Sequence, residues 1–203
     1  MLEFGDLPAD VGMIRRYFAA NPDPSEIRNP HPEKKVSEAV RSRARPAAVL
    51  IPIVDYPDGP ALLVTRRHQN IRFAGHICFP GGSCDEGDES PVATALRESA
   101  EEINLDPSGV EVLGVLGNYY TQTGYRITPV VGVITPPLSV RANPAEVDEI
   151  MEVPLAHAFS PARYKVAWHN PERGHIAFTD DDVRIAGPTV SLLIGLCERL
   201  DAG

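Results

Sequence analysis

Residues 90–104, SPVATALRESAEEIN, are marked as a helix at both ends, and that helix constrains what the rest of the chain can build. Ser90 is a good N-cap, because its hydroxyl can accept from a free backbone N–H, and Pro91 suits the first helical position, where an N–H has no partner. Asn104 stands where a left-handed residue ends a helix, and Asp106-Pro107 blocks its continuation. Val92, Leu96, Ser99/Ala100 and Ile103 recur at helical spacing and mark a buried stripe, which leaves Glu98, Glu101 and Glu102 together on the other side. A helix apolar on one stripe must be covered by another layer of structure.

Those glutamates work against the helix that carries them. The C-terminal end of a helix has a partial negative charge, so each acid there costs a few tenths to about 1 kcal/mol. Glu98 also faces Glu101 and Glu102 at i+3 and i+4, where like charges repel. An arbitrary charge run reads first as a solvated face. Here the acids sit at the unfavourable end, Arg97 lies four residues before Glu101, and the turn Gly81–Gly82 with the acidic loop SCDEGDE lies just upstream. Hard divalent cations such as Mg²⁺ take several oxygen ligands, and glycine lets backbone approach the same point. The pattern points to a metal site.

Around the helix, residues 47–56 and 61–67 read as buried strands joined by the turn YPDGP, and HICFPGG closes a short strand with the glycine turn. VEVLGVLGNYY and RITPVVGVITP read as two further strands, EVDEIMEVPL as a strand or bulged edge, and YKVAWH with HIAFTDDDVRI as a hairpin. GPTVSLLIGLCERL is a terminal helix apolar on nearly all sides, and residues 8–20 form a short amphipathic helix with Val11, Ile14 and Phe18 on one stripe. The proline-rich stretch 21–35 reads as an extended arm or loop. Strands and helices mix without strict alternation, so the expected class is α+β. A chain of 203 residues is one domain, or one domain with an arm.

A net charge of −9 argues against a nucleic-acid or anionic-membrane partner, so an anionic substrate must be met by local cations. The N-terminus has no apolar signal segment, no run is long enough to span a membrane, and Cys78, Cys84 and Cys197 lack metal or disulfide spacing. A reducing, cytoplasmic setting is the expectation.

The stretch GGSCDEGDESPVATALRESAEEINL resembles the Nudix box: Gly, five residues, Glu, seven residues, Arg-Glu, apolar, any, Glu-Glu, any, Gly, apolar. Arg97, Glu98, Glu101, Glu102 and Leu105 match it. Asn104 replaces the final glycine, Ser99 takes an apolar position, and the loop is longer, leaving Asp88 or Glu89 as the first acid. The resemblance implies a Nudix-like α/β/α sandwich with a mixed sheet, hydrolysing a diphosphate linked to another moiety with Mg²⁺ or Mn²⁺. It implies that Glu98, Glu101 and Glu102 hold metal, that Arg97 orients a glutamate, and that either one of these acids or a downstream acid such as Glu146 or Glu149 serves as general base.

LLVTRRHQNIRFAGHICFPGG is similar to the segment marking coenzyme A pyrophosphatases within that family, through Thr65, Arg67, Arg72, Gly75 and Phe79–Gly82. His68 stands where Ser or Ala is usual, and Ala186 where an aromatic is common. The resemblance covers roughly residues 46–200, which divides the chain into an N-terminal helix and arm (1–45) and a hydrolase domain (46–203). It implies substrate binding by Arg67, Arg72, Gly81 and Gly82, with positive charge concentrated over Arg66, Arg67, His68 and Arg72. The implied partner is a small nucleotide diphosphate, with a homodimer allowed. Other expectations are hydrolysis of ADP-ribose, a dinucleotide or a nucleoside triphosphate, or a non-catalytic nucleotide-binding module. Tyr119, Tyr120 and Tyr125 read first as strand packing residues, and second as a frame for a base or pantetheine pocket.

Overall fold

The structure, a computed structural model, describes residues 2–21, 25–31, 36–170 and 173–203. Parts of the expected arm, 22–24 and 32–35, lie outside them. In chain order come helices α1 (Val11–Ala20) and α2 (Glu38–Arg41), then strands β1 (Arg45–Val54), β2 (Ala61–Arg67), β3 (Ile77–Cys78) and β4 (Gly81–Ser83). Helix α3 (Pro91–Ile103) follows, then β5 (Val110–Val115), β6 (Tyr119–Tyr120), β7 (Tyr125–Ile134) and β8 (Val147–Pro154). The chain closes with α4 (Leu155–Ala158), β9 (Tyr164–Asn170), β10 (Arg173–Asp180), β11 (Val183–Ala186) and α5 (Gly187–Ala202).

The described strands form one mixed sheet in the order β5-β7-β1-β2-β3-β11-β10-β9, with β4 on β1, β6 on β7 and β8 on β2. β1 and β7 pair in parallel from Arg45↔Tyr125 to Val54↔Ile134, the longest pairing among the described strands. Alternation along them feeds two cores. Ala48, Leu50, Val130 and Ile134 pack with Ala95 and Ile103 of α3 on one face. Ile51, Ile53, Val131 and Val133 pack with Val11, Ile14 and Phe18 of α1 and with α5 on the other. Strands covered on both faces read as near-continuous apolar runs, as β1 does. The result is the expected α+β sandwich, with helices on both sides of the sheet.

Two expected strands are each divided. VEVLGVLGNYY becomes β5 and β6, and HIAFTDDDVRI becomes β10 and β11, turning at Asp181, whose φ of 42° is left-handed. β8 lies along β2 with a register shift at Arg66/Arg67, the bulged edge expected for EVDEIMEVPL. Among the described residues no helix is long and apolar enough to cross a membrane.

Candidate active site

The punctuation of α3 is realised as read. Ser90 Oγ accepts from the N–H of Ala93 at 3.1 Å, and Asn104 is left-handed at φ 53°, ψ 32°. β4 pairs with β1 through Val49↔Gly81 and Ala48↔Gly82, which brings the glycine turn alongside α3. Gly81 has φ 151°, and a Cβ there would lie 2.4 Å from the Ala48 carbonyl oxygen, so no side chain fits. Its N–H donates to Glu102 Oε2 at 3.2 Å. A Cβ on Gly82 would instead meet the Glu98 carboxyl group at 2.6 Å. Gly81 thus lets β4 lie close on β1 with its N–H towards Glu102, and Gly82 lets Glu98 lie against backbone.

Arg97 organises the charges. Its Nε donates to Asp88 Oδ1 and its Nη2 to Asp88 Oδ2, both at 3.0 Å, a two-point grip of high geometric specificity. Nη1 donates to Glu98 Oε1 at 2.9 Å and to Glu101 Oε2 at 3.2 Å, and Nη2 also reaches the Ser83 carbonyl. Asp88 therefore occupies the place opposite the arginine, while Glu89 is exposed. Hydrogen bonds from Arg97, then the Asp85 N–H and the Thr94 hydroxyl, hold the Asp88 carboxyl well below the usual carboxylate range.

The three helix acids do not share one open face. The Glu101 side chain is 54% exposed and that of Glu98 15%, whereas Glu102 is 3% exposed. Glu102 falls seven residues after Ala95 and three after Ser99, on the buried stripe itself. Burial pushes its carboxyl up to about 7, opposed by the Gly81 N–H and Arg67 and reinforced by the charges of Glu98 and Glu146. Burial also raises Glu98, against the pull of Arg97.

This donor set is all oxygen, which suits Mg²⁺ or Mn²⁺ rather than a soft metal. Glu98 and Glu102, desolvated and repelled by Glu146, would be stabilised by a bound cation. Among the described residues no three metal-binding side chains stand ready-made around a single point. Arg97 Nη1 engages one oxygen of each carboxylate, Glu98 Oε1 and Glu101 Oε2, and leaves the second oxygen of each outside that hydrogen bond.

Of the two downstream acids, Glu146 is the one whose charge acts on Glu98 and Glu102. It is half-buried on the loop before β8, and its carbonyl accepts from the His68 N–H. Glu149 instead pairs with Arg66 at 3.1 Å across β8 and β2. His68 faces Asp148 at 3.6 Å. The expected concentration of positive charge is thus divided, because β8 brings acids to two of its four members. Arg67 remains at the site, with Nη1 3.7 Å from Glu102 Oε1 and Nε donating to the Arg72 carbonyl. Arg72 enters through that carbonyl, while its guanidinium lies 4.7 Å over the Phe73 ring.

Beside the glycine turn lies a cavity of about 260 Å³. Arg67 and Gly81 belong to its wall, so it adjoins the acids. Most of the remaining wall is carbon, from Val49, Ile77, Phe79, Ile127, Ala186 and Leu192. Sequence reasoning did not find this cavity, since its walls come from distant segments joined by the β3–β11 pairing. Of the three tyrosines, Tyr125 lines the cavity, Tyr119 is in the core, and Tyr120 lies under the Arg41 guanidinium at 4.0 Å.

The family model for the NUDIX domain matches residues 44–178. A protein of Photorhabdus laumondii named Uncharacterized Nudix hydrolase NudL is 46% identical over 140 residues, 68% of this chain and 72% of that protein. The Escherichia coli K12 protein of the same name is 51% identical over 121 residues, 59% of this chain and 62% of its own length, just short of two thirds. A MutT/nudix family protein of Enterococcus faecalis superposes with a TM-score of 0.49 at 14% identity, covering 94% of this chain and 74% of that one. With the family model spanning more than half of the sequence and enclosing Arg97 with its carboxylates, the chain belongs to the Nudix hydrolase family.

Proposed function

We propose that the chain hydrolyses the diphosphate bond of coenzyme A or its thioesters, giving 4′-phosphopantetheine (or its acyl form) and adenosine 3′,5′-bisphosphate. The observation that carries this reading is the carbon-walled cavity sharing Arg67 and Gly81 with the acids. A diphosphate flanked by a long uncharged arm fits such a neighbour better than one flanked by a second sugar or a bare phosphate. Glu98, Glu101 and Glu102 would hold Mg²⁺ or Mn²⁺, which when bound supplies charge neutralisation at the phosphate oxygens.

The chain's own residues do the rest. Arg97, fixed by Asp88, orients Glu98 and Glu101. Arg67 offers a donor to a phosphate oxygen beside Glu102. Glu146 accepts the proton of the attacking water as one P–O bond of the bridge breaks. The three free cysteines fit a reducing, cytoplasmic setting, and a monomer or homodimer would serve equally. Residues 46–203 form the hydrolase unit in this reading, with 1–45 as an arm packed on it through Val11, Ile14, Phe18 and Ile27.

The test is purified protein with Mg²⁺ or Mn²⁺ against coenzyme A, acyl-coenzyme A, ADP-ribose, a dinucleotide and nucleoside triphosphates. Cleavage of the first two is expected. Cleavage of ADP-ribose with coenzyme A untouched would replace this substrate, and binding without turnover would make the chain a nucleotide-binding module. Glu98→Gln and Glu101→Gln should each lower turnover at least about a hundredfold.

A further inference from the structure

We infer that Asn143 is a positioning residue for Glu146: it caps the turn that carries this acid and ties that turn to the end of α3, beside Glu102. This rests on Glu146 as the general base of the reading above. The last carbonyls of a helix have no partner within it and must find one elsewhere. At the end of α3 the loop before β8 supplies two. The Arg141 N–H donates to the Ile103 carbonyl at 2.9 Å, and the Asn143 N–H to the Glu102 carbonyl at 2.8 Å. Glu102 thus meets the Gly81 N–H through its carboxyl group and this loop through its own backbone.

Asn143 then folds the chain back within one turn. Its Oδ1 accepts from the Ala145 N–H at 3.1 Å, the bond that an asparagine N-cap makes to the second residue of a helix. Its carbonyl accepts from the Glu146 N–H at 3.0 Å and the Val147 N–H at 2.8 Å. Pro144 takes the first position of the turn, where an N–H would go unused. Pro144 and Ala145 are exposed, so hydrogen bonds rather than packing give the turn its shape. From the other side the His68 N–H, just past β2, donates to the Glu146 carbonyl at 2.9 Å. Glu146 is therefore held at both its N–H and its carbonyl, in one body with the helix that bears the other acids. The carboxamide of Asn143 is the part of this clamp that a substitution can remove while leaving every acid in place.

The experiment measures kcat and KM with Mg²⁺, on whichever compound of the panel above the wild type cleaves fastest. The variants are Asn143→Ala, Asn143→Ser, Glu146→Gln and the double variant Asn143→Ala with Glu146→Gln. Asn143→Ala should lower kcat about tenfold or more with KM within about twofold, since misplacing a reacting group by about 1 Å can cost a hundredfold. Asn143→Ser, whose hydroxyl also caps and adds no charge beside the acids, should hold kcat within about threefold of wild type. In the Glu146→Gln background Asn143→Ala should cost nothing further, because residues acting through one group are not additive. Should Asn143→Ala fail to fold, Asn143→Gln, which sets the amide one methylene too far out to cap, takes its place in each comparison. Full activity without the cap, equal losses in the alanine and serine variants, or losses that multiply in the double variant would each overturn the inference and leave Glu146 as the base. Full activity of Glu146→Gln would overturn the base and the inference together, and cleavage of no compound would overturn the whole reading.

Discussion

The Glu98 carboxylate rests directly on the backbone of Gly82: a Cβ added there would stand 2.6 Å from its carboxyl carbon and from each of its oxygens. The contact is one that only glycine permits at this position of β4. Gly82→Ala should therefore displace Glu98 while leaving the fold intact, since Gly82 is not among the glycines with positive φ. Misplacement of a positioning group by about 1 Å can cost a hundredfold in rate. The expected result is a fall in kcat of that order with a nearly unchanged melting temperature.

Arg97 distinguishes the two acids at the end of the loop. Asp88 receives two hydrogen bonds from it, and Glu89 is exposed. Asp88→Asn should lower kcat by about tenfold or more through loss of a charge-assisted pair, and Glu89→Gln should leave kcat unchanged. Stability follows the same pair. The folded carboxyl of Asp88 lies below its ordinary value of 3.8, so its contribution is complete above that pH and is lost as pH falls through the folded value. Denaturation of wild type and Asp88→Asn should differ at neutral pH and converge in strong acid.

Glu102 has the opposite sign. Its folded carboxyl stands at about 7 against an ordinary 4.5, so its contribution is fully present below 4.5 and is lost as pH rises through about 7. Above that range the metal-free protein carries a buried charge costing up to about 3 kcal/mol. Glu102→Gln should be more stable than wild type at pH 8 in chelator, with the difference vanishing near pH 4.5. Adding Mg²⁺ at pH 8 should stabilise the wild type and have less effect on the variant. Equal stabilities across this range would remove Glu102 from the buried charge pair.

Glu146 and Glu149 are three residues apart in different surroundings, one adding its charge to those that raise Glu98 and Glu102 and the other paired with Arg66. A general base contributes about a hundredfold or more. Glu146→Gln should lower kcat by that factor with KM little changed, and Glu149→Gln should retain full activity. The reverse result would move the base to the edge of β8.

What was legible in the sequence is what is local. The caps of α3, its length and the stripe of α1 depend on neighbours within a few residues, and the structure reproduces them. The Nudix residues were readable for the same reason. Glu102 was placed on the open face because its charge outweighed its spacing from Ala95 and Ser99, although that spacing already assigned it to the buried stripe. The fate of Arg66 and His68 was not readable, since their partners Glu149 and Asp148 arrive through the pairing of β8 with β2. The cavity was hidden likewise, because Ile127, Ala186 and Leu192 meet Ile77 only after the sheet closes.

The grip of Arg97 on Asp88 has a consequence for how this loop can change. Asp85, Glu86 and Gly87 are exposed, and a Cβ at Gly87 would meet nothing within 4 Å. The extra length relative to the family pattern can be absorbed in that outward bend, while the anchor point stays fixed on the helix. Lengthening a surface loop costs little, about 0.6 kcal/mol per doubling. Residues inserted ahead of Asp85 should be nearly silent, whereas an insertion beside Gly87 would part the Asp85 N–H from the Asp88 carboxylate, so the stretch between the glycine turn and Asp85 is the part of this enzyme that can drift in length.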